Sequence, residues 1–255
     1  MGATAASLEA KKSSRLYVEL ATTADDVRES QRLRYRIFGE EMGAKLKGAE
    51  RGLDEDDFDP HCQHLLVREN GSGRLAASTR ILTDSHAEEA GRFYSSAEFD
   101  LGGIPHLPGR LMEIGRTCVD PDFRQGGAIA VLWSGLAGYI NLHRIDYLFG
   151  CASIPLGKDG AQAEAIMNRL RRNAMSPEHL RAVPRLPVPR PGGEDNKLSA
   201  PMPPLLKAYV RLGAKACGEA FWDKDFEVAD VLMLLNVDEL NPAYSRHFMH
   251  RPAII

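Results

Sequence analysis

Two ionisable side chains lie inside a segment that the sequence predicts to be a buried strand. The segment 111–119 (LMEIGRTCV) is apolar apart from Glu113, Arg116 and Thr117. Residues three apart point to opposite faces of a regular strand, so Glu113 and Arg116 share a site only if a bulge re-aims one of them. A charge in a central strand is costly unless it is paired. This strand is therefore the first place to expect chemistry.

The strand leads into a glycine-bearing loop and a predicted helix. The loop residues Arg124, Gly126 and Gly127 lie where a helix N-terminus presents unpaired N–H groups to an anion. A steric explanation of the two glycines stays open as well. The sequence has no GxGxxG or GK[ST] pattern, which excludes a P-loop or dinucleotide fingerprint here. Apolar residues then recur at helical spacing, at Ile129, Leu132, Trp133, Leu136 and Ile140.

A run of acids between residues 54 and 59 (DEDDFD) is the second feature with chemical potential. A solvated acidic loop is the simpler interpretation. Phe58 in its middle indicates instead that the segment is anchored on the body of the protein. Carboxylates held so close together suit a cationic substrate.

Strands and helices alternate along the chain. Apolar patterns predict strands at 16–21, 64–68, 75–82, 111–119, 147–154 and 227–237. A helix is predicted at 24–42, beginning with a Thr23–Asp26 cap. Two further helices are predicted, one directly after the glycine loop and one at 204–217. A short helix is expected within 91–100, and a last helix with a tail within 241–255. We expect a loose tail at 1–15 and one domain at 16–255. Its Pro/Arg-rich insertion, around 166–203, has prolines that oppose long helices.

Composition and charge bound the function classes. The 255 residues carry a net charge of −3 and are 44% hydrophobic and 26% charged, which is typical of a globular protein and opposes nucleic-acid binding. No apolar run is long enough for a membrane span, and no secretory signal is evident. The four cysteines are far apart and Cys62–His64 lacks a second ligand pair, so we expect a reducing cytoplasm and no metal site.

One buried strand feeding a pyrophosphate-type loop predicts an α/β acyltransfer fold that holds a phosphopantetheine arm. Four segments together resemble the acyl-homoserine-lactone synthases: LRYRIF with Arg34 and Phe38, DEDDFD with Asp56 and Asp59, STRIL with Arg80, and EIGR with Glu113 and Arg116. That family belongs to the N-acetyltransferase-like (GNAT) superfamily and takes acyl chains from acyl carrier protein. Its tryptophan six positions after the phenylalanine would fall at Ala44, which counts against the adenosylmethionine-using reaction.

A fuller resemblance is to the bacterial ornithine-lipid N-acyltransferases, often labelled hemolysin-like. It covers roughly residues 16–250 and rests on FYSSAEFD, RTCVDPDFR, LFGCAS, PPLLKAYVRLGAKACGE and DELNPAYSRHF. The resemblance implies transfer of a 3-hydroxyacyl chain from acyl carrier protein to the α-amine of L-ornithine, giving lyso-ornithine lipid. It also implies a GNAT-like α/β fold, a central mixed and mostly antiparallel sheet flanked by helices, with the carrier-bound 4′-phosphopantetheine thioester as co-substrate and no other cofactor.

Amine attack on a thioester needs a proton acceptor, donors for the oxyanion and, for ornithine, carboxylates. We expect Glu113, as base or water-positioning acid, and Arg116 to be catalytic. Substrate contacts are expected from Arg34, Phe38, Asp56, Asp59 and Arg80, and contacts with the donor arm from Thr117, Cys118, Val119, Arg124, Gly126 and Gly127. Buried ion pairing is the alternative for Glu113 and Arg116, and Arg34 and Arg80 could bind these acids instead of substrate.

Basic side chains in the second half of the chain indicate a docking surface. Arg169, Arg171 and Arg172 could hold the acidic carrier protein, or the same surface and the helix from Pro204 could rest on anionic lipid at the inner membrane. Two other functions stay open. One is a same-fold acyltransferase that uses glycine, lysine or a homoserine-lactone-type acceptor, and the other is a non-catalytic module that binds carrier protein or membrane.

Overall fold

A mixed sheet forms the centre of the computed structural model, which describes residues 15–125, 127–189 and 199–240. The main sheet has the order β1-β2-β3-β5-β6-β10-β8, and β9 pairs with β10 beside β8. Neighbouring strands are antiparallel except for β5 and β6, while β4 and β7 form a separate pair. The strands are β1 Leu16–Leu20, β2 Gln63–Glu69, β3 Leu75–Thr83, β4 Phe99–Asp100, β5 Leu111–Val119, β6 Tyr147–Pro155, β7 Val183–Pro184, β8 Lys215–Ala216, β9 Phe221–Asp223 and β10 Val228–Asn236.

Helices cover the sheet. They are α1 Ala24–Arg34, α2 Asp84–Glu89, α3 Ala128–His143, α4 Ala161–Asn173 and α5 Pro204–Leu212. The predicted cap of α1 is present, because the side chains of Thr23 and Asp26 each accept a hydrogen bond from the other's backbone N–H. The helix then continues as a π-helical segment, Tyr35–Glu41. None of the helices in the described ranges is long and apolar enough to cross a bilayer.

The largest core cluster lies where α3 packs against the sheet. The stripe predicted for this helix is buried at Leu132, Trp133, Leu136 and Ile140. Gly135 lets α3 approach the sheet closely, because a Cβ at this position would come within 2.5 Å of a methyl group of Val18 on β1. The position of α3 fixes the loop before it, and therefore Arg124, relative to β5.

β5 leaves its neighbour β6 after three residue pairs. The parallel register runs only from Leu111↔Tyr147 to Glu113↔Phe149. On its other side β5 bulges against β3, since Arg80 is opposite Gly115 while Ser78 is opposite Cys118. Arg116 lies in this bulge and takes the left-handed conformation, with φ of 52°. The bulge turns Arg116 toward the same side as Glu113, which a regular strand would not do.

The predicted architecture is confirmed, since the sheet is mixed, mostly antiparallel and flanked by helices. The six predicted strands are present as β1, β2, β3, β5, β6 and β10, with ends within two residues of the expected ones. The turn at 70–73 joins β2 to β3 as a hairpin. The termini 1–14 and 241–255, Gly126 and residues 190–198 of the insertion lie outside the described residues.

The predicted end of one helix was wrong. The helix predicted at 204–217 ends at Leu212, because Gly213 adopts φ of 110°, and Lys215 therefore lies on β8. In the predicted insertion, α4 extends to Asn173 and ends before the first proline there, Pro177. The short helix predicted within 91–100 is present as the 3₁₀ turn Tyr94–Ala97.

The gap between β5 and β6 begins next to Gly150 of β6, where the two strands still lie close together. A Cβ at this position would collide with the backbone carbonyl oxygen of Ile114 on β5. We expect Gly150→Ala to lower the free energy of unfolding by about 1–3 kcal/mol, the usual effect of overpacking, as measured by urea denaturation. Gly115→Ala is the matched control, because a methyl group there meets no atom within 4 Å. Equal stability of the two variants would contradict this account of the gap.

Candidate active site

The gap between β5 and β6 opens into a cavity of about 290 Å³. Its walls are β5 from Glu113 to Val119, Cys151 and Ser153 on β6, and Leu205 and Tyr209 on α5. β5 has no strand pairing with β6 past Glu113. Backbone groups of a strand that are not used in a ladder are available to a ligand. This cavity can therefore hold an extended ligand along β5, with its carbonyl group near the backbone amides of the bulge.

A second cavity, of about 410 Å³, adjoins the first. Five residues line both of them: Tyr94, Glu98, Arg116, Asp223 and Phe226. The second cavity is more strongly charged, since its wall includes the acidic run 54–57 together with Lys45, Lys47, Arg92 and Lys224. Two ligands, one in each cavity, would meet at the five shared residues.

Arg116 is the cation that lies between the cavities. Its guanidinium carbon is 4.9 Å from the ring centroid of Phe226, 5.4 Å from that of Tyr94 and 5.9 Å from that of Phe38. Its Nε is 3.2 Å from Oδ2 of Asp54, but it is buried and donates no hydrogen bond to any described residue. The aromatic rings hold the guanidinium group in place and leave it hydrogen-bonding capacity for an anionic ligand.

Two other arginines, Arg34 and Arg80, are paired with carboxylates in a buried ion network. Arg34 donates hydrogen bonds of 2.9 Å to carboxylate oxygens of Asp54 and Asp59. Arg80 donates to Asp56 at 2.6 Å and to Asp59 at 3.1 Å. Burial alone would raise the pKa of Asp59, but the hydrogen bonds and charge of Arg34, with the charge of Arg80, hold that pKa well below its usual value. The network braces the acidic run against α1 and β3.

The structure divides the residues that the sequence predicted to bind substrate. Phe38 lines the first cavity and Asp56 lines the second, whereas Arg34, Asp59 and Arg80 belong to the ion network and line neither cavity. Asp56 accepts from Arg80 and from the Phe58 N–H through Oδ1 alone, and its buried Oδ2 has no hydrogen-bond partner among the described residues. Direct contact of these five residues with substrate stays a prediction, and Asp56 is the acid among them with an oxygen to spare.

Glu113 also lines the first cavity, but its carboxylate is fully engaged. One oxygen accepts a hydrogen bond of 2.7 Å from the Tyr94 N–H. The other accepts one of 2.8 Å from the Ser95 N–H and a short one from the Ser95 hydroxyl. Burial raises the pKa of Glu113, although the hydrogen bonds from Ser95 and Tyr94 oppose the shift. Glu113 therefore fixes the turn Tyr94–Ala97 over the cavity, and its predicted catalytic role stays a prediction.

The residues predicted to contact the donor arm lie on one side of the first cavity. Thr117, Cys118, Val119 and Arg124 line it, and Arg124 also binds both carboxylate oxygens of Glu41, at 2.7 and 2.6 Å. Gly127 is the exposed N-cap of α3, with φ of 81°, and is not in the cavity wall. Gly126 lies outside the described residues. The predicted phosphate contacts at this helix start stay a prediction.

A group of three carboxyls was missed by sequence reasoning. One carboxylate oxygen each from Glu98, Asp223 and Asp230 lie within 4.8 Å of one another. Burial and the charge of Asp230 raise the pKa of Glu98 to about 8, and burial raises the pKa of Asp230 to about 6 although Ser153 donates a 2.6 Å hydrogen bond to it. Among the described residues, this is the group whose donor atoms are close enough to hold a metal ion or an ammonium group.

One of the three acids carried a usable signal. Asp230 is an acid inside a segment that the apolar pattern predicts to be a buried strand, the same signal that singled out Glu113. Glu98 follows a short 3₁₀ turn and Asp223 ends the three-residue strand β9, positions where an acid is ordinary, so no sequence pattern distinguishes them. Asp54, which pairs with Arg34 and Arg116, belongs to the acidic run, but the sequence did not indicate a separate role for it.

The ion network predicts a large stability effect at Asp59 and none at Asp57. Asp59→Asn leaves Arg34 and Arg80 buried without this counter-charge, so we expect the free energy of unfolding to fall by about 3–5 kcal/mol in urea denaturation. Asp57→Asn is the matched control because the Asp57 side chain is 95% exposed, and we expect a change within about 0.5 kcal/mol.

The stability of the wild-type protein and that of Asp59→Asn can also be compared as a function of pH. Since the folded state holds the pKa of Asp59 below the ordinary value of 3.8, its ionised form stabilises the fold at pH above that value. The stabilisation is lost as the pH falls below it, so the wild-type protein and Asp59→Asn should converge in stability in acid. A difference that stays constant from pH 6 to strongly acidic pH would contradict the ionised pairing.

Comparisons with known proteins agree with this geometry. Residues 33–134 match the model of the acetyltransferase (GNAT) domain family. The L-ornithine N(alpha)-acyltransferase of Rhodobacter capsulatus is 36% identical over 246 residues, which cover 92% of this chain and 95% of that protein. The protein of the same name from Rhizobium meliloti is 33% identical over 250 residues, 91% of this chain and 84% of that protein.

Solved structures show the same fold at low sequence identity. BjaI, a CoA-dependent acyl-homoserine lactone synthase solved with SAM and isopentyl-CoA, has a TM-score of 0.52 and 13% identity, covering 93% of this chain and 90% of that chain. FeeM, an N-acyl amino acid synthase from uncultured soil microbes, has a TM-score of 0.50 and 13% identity, covering 88% and 92%. The predicted GNAT-like fold is confirmed.

Proposed function

The chain belongs to the L-ornithine N(alpha)-acyltransferase family and is an acyltransferase, and we propose that it transfers a 3-hydroxyacyl chain from acyl carrier protein to the α-amine of L-ornithine. The product would be lyso-ornithine lipid. The observation that carries the proposal is the meeting of two cavities at Arg116, one beside the unpaired part of β5 and the other bordered by carboxylates. The name of the relatives supports ornithine as the acceptor.

The first cavity suits the thioester donor. A phosphopantetheine arm is an extended amide chain, and β5 past Glu113 offers it backbone groups that do not pair with β6. Backbone amides around Thr117, beside the bulge and in the cavity wall, would polarise the thioester carbonyl and hold the developing oxyanion. Donors of this kind lower the barrier because they are already oriented when charge develops on the oxygen.

The second cavity suits a dicationic amino acid. Ornithine carries two ammonium groups and one carboxylate, so its recognition needs several anionic groups and one cation. Asp56, Glu98 and Asp223 supply carboxylates, and Arg116 supplies the guanidinium group. Because Asp56 has a free Oδ2, it is the acid of the predicted substrate group that we assign to an ammonium. The ion network of Arg34, Asp59 and Arg80 then supports the cavity without contacting the substrate.

The basic face of α5 suits an acidic carrier protein. Leu205 and Tyr209 of this helix form part of the first cavity, while Lys207 and Arg211 are exposed. A carrier bound to these cations would deliver its arm directly to the cavity mouth. On α4, Arg169 and Arg172 are exposed but Arg171 is already paired with Glu164 and Glu219. We therefore place the carrier on α5 and keep anionic lipid as the other possible ligand of this surface.

The acceptor can be identified by product analysis. Purified protein is incubated with 3-hydroxyacyl carrier protein and ornithine, lysine or glycine, and the products are identified by mass. We expect N-acylornithine, with kcat/KM for ornithine about 10–100-fold above that for glycine, since glycine lacks the charged hydrogen bonds of the second ammonium, each worth about 1.5–3 kcal/mol. Lysine or glycine products without any from ornithine would contradict the acceptor. If none of the amines gave a product, the remaining function would be that of a non-catalytic binding module.

The carrier surface can be tested by charge reversal. We expect the double variant Lys207→Glu, Arg211→Glu to raise KM for the acyl carrier protein at least about tenfold, with an effect that weakens at high salt. Turnover of a short acyl-pantetheine donor should not change, because that donor would enter the cavity beside Leu205 and Tyr209, whereas Lys207 and Arg211 are exposed and do not line it. The matched control is Arg169→Glu, Arg172→Glu on α4. If the control raises KM for the carrier and the α5 variant does not, the carrier binds α4 instead.

A further inference from the structure

A carboxyl group that no sequence motif singled out stands where the two cavities meet. We propose that Glu98 is the catalytic base, which takes the proton from the amino acid's α-ammonium group, and that Glu113 is a positioning residue for it. This inference rests on the proposed acyl transfer and deepens it. The amine must lose a proton before it can attack a thioester, so the reaction needs an acceptor next to both substrates.

The position of Glu98 meets that requirement. It lines both cavities, and it follows directly on the turn Tyr94–Ala97. The donor along β5 and an amino acid in the second cavity would both be adjacent to its carboxyl group. A proton acceptor has to lie within hydrogen-bond reach of the nitrogen in the reactive pose, and a residue shared by the two cavities is placed for that.

Glu113 is less suited to accept a proton. Its two oxygens accept three hydrogen bonds from Tyr94 and Ser95, and the residue is 3% exposed. Protonating it would replace an acceptor by a donor in front of an N–H group and would break one of these bonds. These bonds instead hold the turn whose next residue is Glu98. Glu98 itself accepts a single weak hydrogen bond in the described structure, from the Cys151 thiol at 3.2 Å.

The groups around Glu98 tune its proton affinity. It faces Asp230 of β10, Asp223 of β9, Cys151 of β6 and Glu113 of β5, and the cation Arg116 of the bulge lines the same two cavities. Burial, with the negative charges of its neighbours, raises the pKa of Glu98 to about 8. The raised pKa of Glu98 lies closer to that of an ammonium group, which makes proton transfer between the two less unfavourable. A carboxyl group at its usual pKa would be a far weaker acceptor.

An independent feature of the same place indicates the other end of an amino acid. The buried Nε of Arg116 has no hydrogen-bond partner among the described residues, although the guanidinium group lines both cavities. The carboxylate carbon of an α-amino acid is two bonds away from its ammonium nitrogen, so the amino acid needs a cation and an anion side by side. Arg116 for the carboxylate and Glu98 for the ammonium give that pair, and they would orient the nitrogen toward the β5 side.

The proposed step forms a C–N bond, breaks a C–S bond and removes two protons from the nitrogen. The Glu98 carboxylate takes one proton from the ammonium, and the freed nitrogen lone pair forms the C–N bond while the carbonyl π electrons move to oxygen. The oxyanion then collapses, the C–S bond breaks, and the nitrogen gives its second proton to the leaving sulfur. The products are an amide and a free thiol, and Glu98 releases the first proton to solvent. No oxidant or reductant is involved.

The test compares Glu98→Gln with the wild-type enzyme in the acyl-transfer assay with ornithine. We expect kcat to fall at least about 100-fold, the usual contribution of a positioned base, with KM for the acyl carrier protein unchanged. In the wild type, kcat/KM should rise with pH through a limb near 8, and Glu98→Gln should lose this limb. Glu98→Asp should restore the limb at a reduced rate. The control is Glu89→Gln, an exposed residue of α2, with no change expected in any of these quantities.

Two further variants separate a base from a structural residue. Asp230→Asn removes a negative neighbour but keeps the base, so the limb should move to lower pH. Glu113→Gln should lower the rate and the stability while keeping the limb, because Glu98 is still present. Thermal unfolding of each variant shows whether its fold persists. If Glu98→Gln failed to fold, the direction of the Asp230→Asn shift would still decide the question.

The outcomes distinguish the two proposals. A wild-type enzyme that acylates ornithine together with a Glu98→Gln variant that keeps its rate and pH limb would overturn the role of Glu98 and leave the proposed function standing. Loss of the limb in Glu113→Gln and not in Glu98→Gln would do the same. If a chelator abolished activity and Mg²⁺ restored it, the three carboxyls would be metal ligands and the base assignment would be wrong. A wild-type enzyme that acylates no amine would overturn both proposals.

Discussion

The separation of β5 from β6 is the constraint on which the rest of the site depends. A buried strand that gives up half of one ladder leaves backbone N–H and C=O groups without partners, which a fold normally avoids. Here Gly150 on β6 keeps the two strands close up to the point of separation, and the left-handed Arg116 lies in the bulge of β5 beyond it, so both are backbone features. The result is a slot inside the sheet whose wall is made of hydrogen-bonding groups. Such a slot fits an extended, amide-containing ligand better than a flat or purely apolar one.

The charged side chains around the site fall into two groups, those that support the fold and those that can contact a ligand. Arg34, Arg80 and Asp59 are buried and satisfy one another, so they hold the acidic run in a fixed place and have little capacity left for a ligand. Buried pairs of this kind give specificity of structure more than net stability, because desolvation offsets most of the attraction. Arg80, Arg116 and Asp56 each keep one buried polar atom without a hydrogen-bond partner among the described residues, and of these three Arg116 and Asp56 line a cavity whereas Arg80 does not. Some members of the ion network therefore support the fold, and others can bind a ligand.

The parts of this site that lie on regular strands and helices could be predicted from the sequence. The apolar run with Glu113 and Arg116 identified β5 with its correct ends, and the Thr23 cap identified the start of α1. Sequence reasoning could not show the bulge, since the conformation of Arg116 is set by the register between β3 and β5 rather than by local residue types. It also overextended α5 past Gly213, although a glycine followed by Ala214 and Lys215 is a common helix end.

The carboxyl cluster shows the limit of motif reading most clearly. Glu98 follows the 94–97 turn, whereas Asp223 and Asp230 lie on the paired strands β9 and β10 more than 120 residues later, and the three meet only because these strands fold back beside the turn. Burial raises the pKa of Glu98 and that of Asp230, and repulsion from the neighbouring negative charges adds to both shifts. An ammonium group that binds among them relieves this repulsion. If Glu98 is the base, the interaction that recognises the amino acid is then the same one that prepares its nitrogen to attack, and the site needs no separate device for either task.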